Sequence, residues 1–317
     1  MRLLFIGGTG AISNACARLC LEQGHELTLL LRGTRDERIP AGAKVLHGDI
    51  KKDASPLRGL GYDCVVDWTV LREEDAERDV ALFKGRTGRF FYISSTSVYT
   101  KPLASPRVDE GAPIGNPLWS YADQKARCES ILLNGLPAVV VRPGHCYAEF
   151  TCPSGFAGLG FGVVDRILQG KPVVVHGDGA GLWTLTHSSE FAGLFVPLLR
   201  EDGVLGEVFQ IASREVLTWT RIYETMGEAL GKPVRLVNVP VEEIARIDPE
   251  LGATLLGDKA HSCAPDSSKV RGRIASPRPV SFREGFERSL EWRRRHPEAP
   301  YDRGRYELMD RIAGGSR

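Results

Sequence analysis

Tyr121 and Lys125 stand four residues apart in a stretch whose apolar spacing predicts a helix from Ser120 to Leu133, so both side chains leave the same face. An ammonium beside a phenol favours the phenolate and draws the tyrosine towards neutrality, where it can serve as a general acid or base. Such a pair also arises by chance. Its meaning comes from upstream, where the predicted strand Phe90-Phe91-Tyr92-Ile93 runs into the hydroxyls of Ser94-Ser95-Thr96-Ser97, ahead of Val98-Tyr99. Those hydroxyls fall at the carboxyl edge of a sheet, where α/β folds bind their ligands.

A second cluster lies at the start of the chain. Leu3 to Ile6 reads as a strand, and Gly7-Gly8-Thr9-Gly10-Ala11-Ile12-Ser13 then leads into a helix from Ala11 to Gln23. Glycines here let the backbone turn sharply and approach a pyrophosphate, which the positive end of the helix attracts. Gly7, Thr9, Gly10, Ala11 and Ile12 are therefore the expected cofactor contacts, and Ser13 is small enough to replace the third glycine of a dinucleotide fingerprint. After the next strand the chain reads Leu31-Arg32-Gly33-Thr34-Arg35, with no acid to hold a ribose 2′-hydroxyl. NADP is favoured over NAD, with Arg32 the first choice for the 2′-phosphate and Arg35 the second. Asp49 and Ile50 are placed to meet the adenine; a plain turn aspartate is the competing reading.

These clusters need a scaffold. Further strands are expected at Leu27 to Leu31, Lys44 to Leu46, Cys64 to Val66 and Ala138 to Val141, with a helix from Glu73 to Phe83. Strands alternating with helices imply an α/β fold, a doubly wound parallel Rossmann sheet. From Ala148 to Gly162 glycine, proline and aromatic residues suggest a substrate lid, and Val173 to Val175 and Val208 to Ile211 suggest returns to the sheet. The expected division is a dinucleotide-binding domain of residues 1–150 with 184–212, interleaved with a smaller α/β substrate domain of 151–183 with 213–317. Thr218 is placed to cap a helix from Trp219 to Leu230 that stops at Gly231, and Val280 to Arg295 should form the last solid helix.

Bulk properties agree with a small-molecule enzyme. The 317 residues carry 41 basic and 40 acidic side chains, which leaves no global field for nucleic acid or an anionic membrane. Seven cysteines, an odd number with no Cys-x-x-Cys pair, fit reduced thiols in a cytoplasmic protein and suggest no metal site. No stretch approaches the length of a membrane span, and a homodimer is the candidate assembly.

Over roughly its first 215 residues the chain resembles the extended short-chain dehydrogenases/reductases of the NAD-dependent epimerase/dehydratase type. The glycine loop, Gly48-Asp49, the Ser-Ser-x-x-Val-Tyr strand end, Tyr-x-x-x-Lys, Val141-Arg142-Pro143, and His187 before Glu190-Phe191-Ala192 follow the family's order. The resemblance implies that Tyr121 transfers the proton, that Lys125 lowers its pKa and holds the nicotinamide ribose, and that Ser95 hydrogen-bonds the reacting oxygen. It also implies a cofactor contact at Pro143 and substrate contacts at Thr96, Ser97, His145, Tyr147 and Trp183.

The implied activity is oxidation and reduction, or epimerisation, at a secondary alcohol or ketone of a sugar-like, nucleoside-like or nucleotide-sugar substrate. Three departures qualify it. Asp67-Trp68-Thr69 replaces the family's His-x-Ala-Ala wall, with Trp68 a candidate to crowd the cofactor. Thr96 and Ser97 replace the Asp-Glu pair of the dehydratases. Trp183 stands where an arginine often grips a diphosphate. The first departure is shared with a branch containing chloroplast RNA-associated proteins, so a catalytically weak, NADP-binding regulatory or RNA-associated protein is the rival reading.

Overall fold

The computed structural model describes residues 1–57 and 59–315. The first half of the chain runs through β1 (Arg2–Ile6), α1 (Ala11–Glu22), β2 (Glu26–Leu31), β3 (Lys44–His47), β4 (Tyr62–Asp67), α2 (Glu73–Phe83), β5 (Thr87–Ile93), β6 (Arg107–Val108), α3 (Ser120–Gly135), β7 (Ala138–Pro143) and β8 (His145–Tyr147). The second half adds α4 (Gly162–Leu168), β9 (Val173–His176), β10 (Leu182–Trp183), β11 (Leu185–His187), α5 (Ser188–Leu198), β12 (Val208–Ile211), β13 (Leu217–Thr218), α6 (Trp219–Leu230) and β14 (Leu236–Val239). It ends with α7 (Val241–Ile247), α8 (Pro249–Thr254), β15 (Ala264–Pro265), α9 (Ser268–Arg273), α10 (Phe282–Arg295) and α11 (Arg303–Gly315).

Seven strands form one parallel sheet in the order β12-β7-β5-β4-β1-β2-β3. Two-residue periodicity sends alternate side chains to opposite faces. Leu3 and Phe5 of β1 pack with α1 and α5 on one face, and Leu4 and Ile6 pack with α2 and α3 on the other. Both faces are covered, which is why the strands read as nearly unbroken apolar runs. The chain order reverses beside β1, where the sheet grows outward on both sides, and the turn after β1 opens at that crevice.

A third apolar cluster gathers the later chain, including Phe156, Phe161, Trp183, Trp219, Tyr223 and Phe286. The segment expected to form a lid contributes Cys152, Phe156, Leu159 and Phe161 to that core instead, because its aromatic side chains find partners among α4, α6 and α10. The run Val173–Val175 likewise stays out of the main sheet. It pairs in parallel with β14 as a separate two-stranded sheet, whereas Val208–Ile211 joins β7 in the large one.

The caps behave as their chemistry requires. Thr218 accepts the Arg221 N–H, and Gly231 ends α6 in the left-handed region at φ 63°. The helix expected from Val280 begins at Phe282, because Ser281 is the residue that caps it, and it is not the last: α11 of 13 residues follows it. No helix among the described residues is long and apolar enough to cross a membrane. The last two residues of the range expected for the second domain, and Arg58 of the first, lie outside the described residues.

Candidate active site

The loop after β1 is built on backbone that only glycine adopts readily. Gly7 has φ +91°, and a Cβ there would lie 3.3 Å from the side chains of Trp68 and Thr69. Gly10 caps α1, its N–H donating to Ser13 Oγ at 2.9 Å, so the serine in the third-glycine position ties the loop to the first helical turn. Gly7, Thr9, Gly10, Ala11 and Ile12 line a cleft of about 670 Å³, together with Arg32, Arg35, Asp49 and Ile50. The unpaired N–H groups at the start of α1 and a rim carrying Arg32 and Arg35 suit an anionic dinucleotide. Asp49 also accepts the Lys51 N–H at 3.1 Å, so it shapes its own turn.

Ser95, Tyr121, Lys125 and Pro143 line the same cleft. Ser95 ends the extended backbone of β5 and caps a short 3-10 turn, accepting from Ser97 N at 3.2 Å and Ser97 Oγ at 2.9 Å. Lys125 is buried and donates to the carbonyl oxygens of Val70 and Ile93, each at 2.7 Å, with its Nζ 5.9 Å from the centre of the Tyr121 ring. Burial brings its pKa down to about 8. Tyr121 moves opposite to the direction expected from a neighbouring lysine. Burial first and Asp258 second push its phenol up to about 12, while Ser95 pulls the other way. Lys125 loses its proton well below the range in which the phenol titrates, so it brings no positive charge to the phenolate.

Beneath Ser94 and Ser95 lies a buried knot. Arg142 on β7 reaches Glu129 on α3 through Nε at 2.9 Å and Nη2 at 2.7 Å, and Ser94 Oγ donates to the same carboxylate at 2.6 Å. Arg142 also donates to the Tyr99 hydroxyl at 3.2 Å, and that hydroxyl donates to Gln210 Oε1 on β12 at 2.7 Å. The knot fixes the end of β5 against the helix that carries Tyr121.

The Asp67-Trp68-Thr69 wall is held by Asp67 Oδ1, which accepts from Thr69 N at 2.5 Å and Thr69 Oγ1 at 2.7 Å. Trp68 borders the cleft, but its indole turns inward between Phe5 and Phe195, with ring centres 5.5 and 5.3 Å away. Nearby, Asp79 is buried and raised by burial and by Asp67, with Arg78 opposing.

The residues expected to touch substrate are not gathered in that cleft lining. Thr96 and Ser97 are buried beneath it. Tyr147 is buried in the later chain's core, its ring edge-on to His187 at 5.3 Å. His145 meets Trp183 at 6.1 Å and Trp219 at 6.2 Å, and burial, with Lys259, brings its pKa to about 3. The Nε1 atoms of Trp183 and Trp219 have no hydrogen-bond partner among the described residues. His187 caps α5 through Nδ1, which accepts the Ser189 N–H at 3.3 Å. Cys146 also lines the cleft, its thiol pushed up by burial. Asp258 was not foreseen, since it arrives from a turn distant in sequence and no local pattern marks it.

The NAD dependent epimerase/dehydratase family model matches residues 78–212. The chain is 26% identical over 250 residues to the 2'-dehydrokanamycin reductase of Streptomyces kanamyceticus, an alignment covering 76% of this chain and 70% of that one. It is also 26% identical over 250 residues to the chloroplast stem-loop binding protein of 41 kDa b of Arabidopsis thaliana, covering 73% of this chain and 64% of the relative. In fold it is similar to the UDP-glucuronic acid 4-epimerase of Bacillus cereus in complex with NAD, with a TM-score of 0.74 and 17% identity over 93% of this chain and 99% of that one. The dTDP-glucose 4,6-dehydratase of Bacillus anthracis in complex with NAD gives a TM-score of 0.73 and 17% identity over 94% and 98% of the two chains. Over residues 78–212, which carry the Tyr-x-x-x-Lys helix, the chain is similar to the NAD dependent epimerase/dehydratase family, and its doubly wound parallel sheet is the fold of those solved structures.

Proposed function

We propose that this protein is an NADP-dependent oxidoreductase or epimerase acting at a secondary alcohol or ketone of a sugar-like substrate. The observation that carries the reading is that Ser95, Tyr121 and Lys125 share one cleft with the glycine loop and with Arg32 and Arg35. Relatives of this chain include a reductase and, in fold, an epimerase. A bound nicotinamide cofactor would supply or accept the hydride.

In this reading residues 1–150 with 184–212 hold the cofactor, and 151–183 with 213–317 close the substrate side. The glycine loop and the start of α1 hold the pyrophosphate, and Arg32 meets the 2′-phosphate. Tyr121 gives or takes the proton on the reacting oxygen, Ser95 hydrogen-bonds that oxygen, and Lys125 keeps a donor beside the ribose. Trp183 is buried against His145 and Trp219 and offers no charge to a diphosphate. Dehydration is disfavoured, since Thr96 and Ser97 bring no carboxylate to take a proton from carbon.

The test is mass spectrometry of the nucleotide that co-purifies, followed by turnover of NADPH against a panel of keto-sugars and nucleotide sugars. A retained oxidised cofactor points to epimerisation and an exchangeable one to net reduction; absence of nucleotide binding and of turnover overturns the reading.

The similarity to the chloroplast stem-loop binding protein favours a second reading, an RNA-associated protein of the same fold. A net charge of +1 speaks against it. Binding of stem-loop RNA that survives physiological salt, in a protein without turnover, would favour it.

A further inference from the structure

Asp258 lies in the turn Leu255–Lys259, wound as a single turn of π-helix, and is buried. That turn is seated against the start of the helix carrying Tyr121. Asn116 Nδ2 donates to the Gly257 carbonyl at 2.6 Å, and a Cβ on Gly257 would come within 2.5 Å of Trp119 Cβ, so only glycine permits the approach. Trp119 precedes α3, and its ring lies 4.7 Å from that of Tyr121, centre to centre. Lys259 Nζ lies 5.9 Å from the Trp119 ring, and Asp258 Oδ1 lies 3.8 Å from the fully buried Lys101 Nζ.

The groups that act on the phenol are Ser95 after β5, Tyr92 within β5, Lys125 one turn along α3, and Asp258. Those facing Asp258 are Lys101, Lys259, His261 and Cys263. Burial raises Asp258, and the two lysines and His261 pull it back. Among the groups around Tyr121 it is the carboxylate that opposes formation of the phenolate.

We propose that Asp258 is a positioning residue for Tyr121: delivered by the C-terminal turn, it holds the phenol as a proton donor and so sets the site for reducing a carbonyl. This rests on the oxidoreductase reading above. In that direction the carbonyl carbon gains a hydride from the reduced nicotinamide, its oxygen gains the Tyr121 proton, and the phenolate is refilled with a proton from water. The equilibrium constant belongs to the reactants and does not change; the fraction of enzyme able to donate at a given pH does.

The experiment is the pH profile of the reductive kcat in wild type, Asp258→Asn and Asp258→Glu, alongside titration of the Tyr121 ζ-carbon resonance in labelled protein, assigned by its loss in Tyr121→Phe. In Asp258→Asn the alkaline limb should move down by on the order of one pH unit, which is about a tenfold loss of rate on that limb. Asp258→Glu should restore the limb. The resonance should follow the same shifts without any turnover, so it decides the matter even if no substrate is reduced and the oxidoreductase reading fails. A folded Asp258→Asn whose limb and resonance stay in place or move upward, or one that loses rate equally at every pH, overturns the proposal.

Discussion

Lys125 gives its ammonium to the carbonyl oxygens of Val70 and Ile93, both at 2.7 Å, and stands 5.9 Å from the centre of the Tyr121 ring. Its buried position brings its pKa from 10.5 to about 8. Between those values the unfolded chain binds the proton and the folded one does not, so this group makes stability rise with pH across that window. The full difference is on the order of 3 kcal/mol. Urea denaturation of wild type and Lys125→Met should show the stability difference between them shifting in favour of wild type from neutral pH to pH about 10. A difference that stays flat with pH would mean that the lysine is not desolvated as described. Tyr121 acts with the opposite sign: its phenol is raised from 10.0 to about 12, so its contribution is complete below pH 10 and fades above it.

Arg32 is exposed on the rim of the cleft and makes no ion pair among the described residues, which leaves its guanidinium for a phosphate. A charge-assisted hydrogen bond of this kind contributes about 1.5–3 kcal/mol. Calorimetry should find NADP(H) bound roughly 10- to 100-fold more tightly than NAD(H), with Arg32→Ala removing most of that preference and leaving NAD(H) binding nearly unchanged. Equal affinities in wild type would move the 2′-phosphate contact away from this residue.

Glu129 and Arg142 are both almost wholly withdrawn from water, and the pair holds Ser94 as well as each other. Removing one charge strands the other, so Glu129→Gln should cost about 3–5 kcal/mol in denaturant unfolding. Because the knot links β5, α3, β7 and β12, the variant should also lose activity well below its melting temperature. A loss under 1 kcal/mol would show that water reaches Arg142.

The strands and helices around the nucleotide cleft were legible because both faces of the sheet are covered and the helices have one apolar stripe, so periodicity maps directly onto contact. Glu73–Phe83 and Val208–Ile211 emerge with the bounds read from the sequence. The later chain was less legible. Phe156 and Phe161 look like loop aromatics beside so many glycines, yet a separate core claims them. The direction of the Tyr121 shift was hidden for the same reason as Asp258: spacing reveals that Lys125 shares a helix face with Tyr121, but not that burial lowers the lysine's pKa below that of the phenol, nor that a carboxylate arrives from over a hundred residues away.

Ser95 Oγ already accepts two hydrogen bonds from Ser97, so its own proton is free to reach the phenol or a substrate oxygen. Ser95→Ala should lower kcat by about 10- to 1,000-fold while cofactor affinity is unchanged, the scale of one lost transition-state donor. An unchanged kcat would remove Ser95 from the chemistry.

A hydride that crosses this cleft while Tyr121 supplies the proton can be followed by isotope. Purified protein is incubated with NADPH carrying deuterium at the transferable position and a keto-sugar panel, and products are read by mass spectrometry for wild type and Tyr121→Phe. Wild type should place deuterium on the new carbinol carbon, and Tyr121→Phe at least a thousandfold less although the variant still binds NADPH. Label transferred equally by both proteins, or by neither while the wild type holds its cofactor, would contradict this route.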